Sequence, residues 1–208
     1  LIVKKLRAAG VQVVFDRKAP VKSLDDVYQD LRAEARLHVV VQCILAMAGA
    51  EMQQVFACDA TGLNVVFGYP LLFGTEGVQN TINALAAEFG RDETATILCA
   101  HGNAKHPEYN AALARMDAYV RANYDKVYVA TIEGPPGIEA VAAEVKASGA
   151  SAVRFVPLML TDGDHMQNDV MGDEPSSWKT LLGLPATSAT GMASNPRVAD
   201  LFMESIAH

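Results

Sequence analysis

Hydrophobic positions along this chain follow two alternating patterns: short unbroken apolar runs, and stretches in which apolar residues recur every three or four positions. The runs Leu37–Leu45, Asn64–Leu72, Ala95–Ala100, Lys126–Ile132 and Val153–Leu160 read as strands buried on both faces, with shorter extended pieces at Val11–Phe15 and Ala186–Thr190. Helical spacing appears between them. Leu24, Val27, Tyr28 and Leu31 predict a helix over Leu24–Glu34, with Ser23 as N-cap and Asp25 and Asp26 in its first turn. Further helices are expected around Glu51–Cys58, over Val78, Ile82, Leu85 and Phe89, and from Pro107 with Leu113, Met116 and Val120 on its apolar face. Others carry Ile138, Val141 and Val145 up to Gly149, span Ser176–Leu182, and start at Pro196. Leu1–Ala9 reads as the tail of a helix ending at Gly10, and Gly74–Gly77 as a turn. Strands alternating with helices predict an α/β fold with parallel sheets and right-handed crossovers.

The pattern also repeats. Shifted by 114 positions, Ser23–Met52 lies on Gly137–Met166 without a gap: Leu24 meets Ile138, Val27 meets Val141, Val39 meets Val153, Gly49 meets Gly163, and Glu51 meets His165. All helix–strand units share some likeness, and that alone explains part of the match. Read as a true repeat, it predicts two related α/β halves, 1–92 and 93–208, joined near Phe89–Glu93, with the polar loop ends of both sheets bordering one cleft.

Composition narrows the function classes. Half of the 208 residues are hydrophobic and 20% are charged, which excludes a disordered chain. The net charge is −7 and Lys and Arg are dispersed, so no nucleic-acid footprint is present. No apolar run approaches the ~20 residues of a membrane span. Cys43, Cys58 and Cys99 lack CxxC spacing and read as buried residues of a reducing compartment. A cytoplasmic location is expected, with the periplasm left open.

The chemistry gathers at strand ends. The strand Val153–Leu160 stops at Thr161-Asp162-Gly163-Asp164, and His165, Asn168, Asp169 and Asp173 follow. Two other strands of the second half end in His101-Gly102-Asn103 and Glu133-Gly134-Pro135-Pro136-Gly137. Parallel strands end on one side of their sheet, where open α/β folds place ligands. His101, Glu133 and His165 can therefore converge, and two imidazoles with a carboxylate suit cobalt, nickel, iron or zinc. Taken singly, each of the three is more often an ordinary surface or core residue; the common position at strand ends carries the expectation. HExxH, a phosphate-binding GxxxxGK[ST] loop, GxGxxG and GxSxG are all absent. His38 and His208 read as bland, His106 before Pro107 as a helix-entry residue with a secondary polar role in the cleft left open, and Met47, Met52, Met159 and Met166 as core or cleft wall.

His101-Gly102-Asn103, Ile132-Glu133-Gly134 and the long run Pro157-Leu158-Met159-Leu160, Gly163-Asp164-His165, Asn168-Asp169, Gly172-Asp173 and Ser177-Trp178-Lys179 resemble the anaerobic sirohydrochlorin cobaltochelatases. These are class II, ATP-independent chelatases, and the resemblance covers Thr94–His208. It implies two Rossmann-like halves facing a central cleft, and an enzyme that inserts Co2+ into sirohydrochlorin for cobalamin. It also implies that His101, Glu133 and His165 hold the metal and act in catalysis, with no nucleotide required. Fe2+, Ni2+ and Zn2+ remain compatible metals, and a homo-oligomer stays open. In the first half, Leu1–Leu6 resembles the helix after the family's second strand, so the resemblance implies an N-terminally incomplete half. Val41-Gln42 and Gly49-Ala50-Glu51 fit the next strand and loop, but Leu45 and Ala48 stand where the family has His and Pro, leaving that loop without an assigned cleft role. Helix N-termini and Lys105 are candidates for the substrate's carboxylates. Ferrochelation towards sirohaem, a non-catalytic tetrapyrrole or metal carrier, and a zinc-dependent hydrolase are the competing readings.

Overall fold

The structure, a computed structural model, describes residues 2–10 and 21–207; the extended piece expected at Val11–Phe15 lies outside them. In chain order the elements are α1 (Ile2–Ala8), α2 (Leu24–Ala33), β1 (His38–Gln42), α3 (Ala50–Phe56), β2 (Asn64–Gly68) and α4 (Gly74–Leu85). Then come β3 (Thr94–Gly102), α5 (Ala111–Asn123), β4 (Val127–Glu133), α6 (Ile138–Ala147) and β5 (Ala152–Pro157). A π-helical turn (His165–Val170), α7 (Trp178–Leu182), β6 (Ala186–Ser188) and α8 (Pro196–Ala207) complete it. Among the described residues there are two parallel sheets, β1-β2 and β4-β3-β5-β6. This is the expected α/β class.

The second sheet is buried on both faces because its strands alternate apolar side chains between two helical layers. Leu98 and Ala100 of β3, Val127 and Val129 of β4, and Val156 of β5 face α4, α5 and α8. Ile97 and Cys99 of β3, Ala130 of β4, and Val153 and Phe155 of β5 face α6, α7 and the π-helical turn. Ile97, Leu98 and Phe155 have no exposed surface; burying each such side chain is worth ~1.5–3 kcal/mol. β5 ends at Pro157, earlier than the apolar run suggests, because strand pairing passes to the neighbouring segments. Leu158 N–H still donates to the Cys99 carbonyl at 2.8 Å, while the Met159 and Leu160 carbonyls accept from Met192 and Ala193 at 2.9 and 3.0 Å.

The element bounds follow the repeat spacing. α2 and α6 have the same bounds once 114 is added, β1 and β5 start in register, and α3 corresponds to the π-helical turn. Ser23 caps α2 through a capping box: its hydroxyl accepts from Asp26 N–H at 3.1 Å, and the Asp26 carboxylate accepts from Ser23 N–H at 3.3 Å. The Gly74–Gly77 stretch is the first turn of α4 and not a separate turn, since Gly77 N–H donates to the Phe73 carbonyl at 3.2 Å.

The two sheets are tied together by their helices. α4 precedes the Phe89–Glu93 link, yet Val78, Ile82 and Leu85 pack into the core of the second sheet beside α5. α8, the last helix, lies on α4, α1 and both strands of the first sheet. There the Ser205 hydroxyl accepts from Tyr69 N–H at 2.6 Å. Among described residues before Leu71, only Tyr28 and Met52 are buried hydrophobics, and Val40 and Val66, paired across β1-β2, are 48% and 49% exposed. No helix of the described residues is long and apolar enough to cross a membrane.

Candidate metal centre

Three chain segments deliver the candidate residues to one side of the second sheet. His101 and Gly102 close β3, Glu133 closes β4, and His165 opens the π-helical turn a few residues beyond β5. The two imidazole rings meet edge to face with centroids 4.9 Å apart. Glu133 stands on the adjacent strand, opposite Gly102 in the β3–β4 register, and is exposed. Among the described residues no group of three His, Cys, Asp or Glu side chains is placed so that it could together hold a metal ion, so the expected trio of His101, Glu133 and His165 is not assembled as a ligand set. The structure thus pairs the histidines directly and sets Glu133 at the neighbouring strand end.

Each imidazole is held through Nδ1. His101 Nδ1 lies 2.8 Å from the Gly102 carbonyl, which can only accept, so Nδ1 donates and, in the neutral ring, the lone pair is on Nε2. His165 Nδ1 lies 2.6 Å from the Asp169 carboxylate, one turn along the π-helical segment. Both rings therefore have Nδ1 engaged and leave Nε2 as the nitrogen that could bind a ligand.

Local chain geometry explains why these segments sit where they do. Gly102 has φ +73°, and a Cβ there would lie 2.1 Å from the Glu133 carbonyl oxygen, so only glycine lets β3 and β4 approach at the site. The turn after Glu133 is tied back by Thr131, whose N–H donates to the Pro136 carbonyl at 2.9 Å and whose hydroxyl donates to Gly134. Beyond β5, Met171 N–H reaches the Met166 carbonyl at 2.9 Å, the wider spacing of a π-turn. Gly172 closes that turn; a Cβ there would sit 2.1 Å from the Asn168 carbonyl oxygen. The buried Ser177 donates to the Gly172 carbonyl at 2.7 Å, Lys179 pairs with Asp173 at 2.6 Å, and Trp178 packs on Phe155. The Gly172-Asp173 and Ser177-Trp178-Lys179 parts of the sequence motif thus anchor the segment that carries His165.

A cleft of about 350 Å³ runs from His101 to the first half, within the ~300–1,000 Å³ range of small-molecule sites. Leu158, Met159 and Leu160 line one side, and Leu45, Met47 and Glu51 the other. The loop after β1, which the sequence left without a cleft role, is therefore a cleft wall. Backbone bonds from Leu71 and Leu72 to the Leu45 and Ala46 carbonyls, 3.2 and 2.8 Å, hold it there. Glu51 also lies on this wall, as the repeat partner of His165.

Two further residues carried no sequence signal. Asn110, 8% exposed, donates from Nδ2 to the Asn103 carbonyl at 3.0 Å and braces the loop after His101. Tyr109 lines both the cleft and an adjoining cavity bordered by Arg115. His106 pairs with Glu108 at 3.2 Å at a helix start, and His38 accepts from Asn64 Nδ2 at 3.2 Å; neither ring is paired with His101 or His165. Lys105 is exposed on the loop after β3.

In fold the chain is of the chelatase type. It is similar over 99% of its length to the sirohydrochlorin chelatase SirB from Bacillus subtilis subspecies spizizenii, in a structure with cobalt (TM-score 0.58, 13% identity, 85% of that chain). Over residues 1–208 it matches the family Cobalt chelatase (CbiK), and it belongs to that family. Among curated relatives, it is 26% identical to the sirohydrochlorin cobaltochelatase of Salmonella typhimurium, across 98% of this chain and 77% of that protein. It is 29% identical to sirohydrochlorin cobaltochelatase CbiKC of Nitratidesulfovibrio vulgaris, across 85% and 67%.

Proposed function

We propose that this chain inserts Co2+ into sirohydrochlorin without a nucleotide, with His101 and His165 holding the incoming metal and Glu133 accepting a proton. The observation that carries this reading is the pair of imidazoles 4.9 Å apart, with His101 at the end of β3 lining the inter-sheet cleft and His165 packed against it, in a member of the cobalt chelatase family. Two neutral imidazoles bound through Nε2 leave coordination positions free for the ring nitrogens. As each of two pyrrole nitrogens forms its bond to the metal, its N–H bond breaks and a proton leaves; the metal gains nitrogen ligands as it leaves the histidines. Glu133 receives one proton, and the other passes to solvent. An exposed carboxylate on the adjacent strand suits that transfer better than a fully coordinated one would. Apolar walls, Leu158 and Met159 on one side and Leu45 and Met47 on the other, give the macrocycle faces to lie against. The net charge of −7 repels an acidic substrate in general, so local donors are needed. Arg115 on the adjoining cavity and Lys105 supply positive charge near the cleft.

The three unpaired cysteines fit a reducing, cytoplasmic setting. The test mixes the protein with sirohydrochlorin and Co2+ and follows the absorption spectrum for the cobalt chelate, with Fe2+, Ni2+ and Zn2+ in parallel. Rates no faster than the protein-free mixture for every metal would defeat the reading. Turnover with Fe2+ alone would replace it with ferrochelation.

A further inference from the structure

We propose that Asp169 is a positioning residue that fixes His165 as a metal ligand; this rests on the reading of His165 given above. Four residues apart on the helical turn, His165 and Asp169 share one face, and Asp169 Oδ2 lies 2.6 Å from Nδ1. A carboxylate in that place keeps the proton on Nδ1, directs Nε2 away from the helix, and makes Nε2 a stronger donor. His101 is fixed by a different partner, the neutral Gly102 carbonyl at 2.8 Å. The two imidazoles are thus unequal: His165 is carboxylate-backed and His101 is carbonyl-backed. The segment itself is anchored independently of Asp169, by Met166 and Val170 in the core and by Ser177 on Gly172. Replacing Asp169 therefore removes the ring's partner and leaves the turn in place.

The experiment measures binding of Co2+ alone, as the chloride, by calorimetry in Asp169→Ala, Asp169→Asn and His165→Ala beside the unaltered chain. Circular dichroism and thermal melting report the fold. Nitrogen NMR of the histidine rings reports which nitrogen carries the proton, a readout that a merely structural role does not move. Asp169→Ala is expected to weaken Co2+ binding ~10–100-fold and to release the Nδ1–H tautomer of His165. Asp169→Asn keeps an acceptor oxygen without its charge and is expected to fall between alanine and wild type. Co2+ affinity within threefold of wild type in both Asp169 variants, while His165→Ala loses binding, overturns the positioning role alone. Unchanged affinity in His165→Ala as well overturns the metal-site reading and the proposal with it.

Discussion

Gly102 and Glu133 face one another across β3 and β4, and the carbonyl oxygen of Glu133 occupies the space a Cβ on Gly102 would need. The spacing of the strand ends that carry His101 and Glu133 is therefore set by the absence of a side chain between them. Gly102→Ala meets both this contact and the left-handed backbone at φ +73°. It is expected to cost ~1–3 kcal/mol of stability and to reduce metal insertion beyond that loss by displacing Glu133. Denaturant melts beside initial rates at saturating Co2+ check it; a rate that stays at wild type would show that Glu133 need not keep its place.

Glu133→Gln keeps the size of the side chain and one acceptor oxygen but cannot take up a proton. Loss of a general base typically costs ~10²–10⁴-fold in rate, so single-turnover insertion should slow by that order while Co2+ affinity changes far less. Were Glu133 only a polar residue before α6, glutamine would be silent in both assays. An unchanged insertion rate at saturating metal would end the proton-acceptor role.

Cys99 is wholly buried in β3, and burial pushes its thiol well above the ordinary range. The unfolded thiol ionises near pH ~8.5, whereas the folded one stays protonated, so the folded state binds the extra proton at alkaline pH. Cys99 thus contributes stability that is complete below that pH and is lost as pH rises through and above it. The fall in stability between pH 8 and 10 should be shallower in Cys99→Ala than in the unaltered chain, read by urea melts. Equal slopes would show that Cys99 is not among the responsible groups.

Burial is unevenly shared between the sheets. β1 and β2 are backed by few buried side chains, with Val40 and Val66 half exposed, whereas β3 and β5 are enclosed on both faces. Amides of β1 and β2 should exchange with solvent through local openings, and those of β3 and β5 only near global unfolding. Hydrogen exchange with mass spectrometry resolves these segments; equal protection would show that the first sheet is held by more than the described contacts.

The second sheet was legible in the sequence because strands covered on both faces leave unbroken apolar runs. The matching bounds of α2 and α6 were legible through the 114-residue repeat. His101, Glu133 and His165 stood out because parallel strand ends share a side of the sheet. The π-turn was not legible: His165–Val170 is mostly polar and has no apolar period. The first turn of α4 was missed because Gly-Thr-Glu-Gly carries turn chemistry while the Phe73 carbonyl organises it as helix. The cleft wall at Leu45–Met47 and the brace from Asn110 depend on contacts between distant segments, which no local pattern encodes.

The crossing of α4 and α8 between the sheets has a consequence for how the molecule can be divided or moved. A fragment beginning after Glu93 would carry Leu113, Met116 and Val129 but not Ile82 and Leu85, which cover them. A fragment ending before Pro196 would strip the first sheet of its last helix. Neither piece closes its own core, so among the described residues the two sheets do not form separately closed bodies. Elements interlocked in this way adjust to one another by small sliding steps of packed helices rather than by a swing of one half.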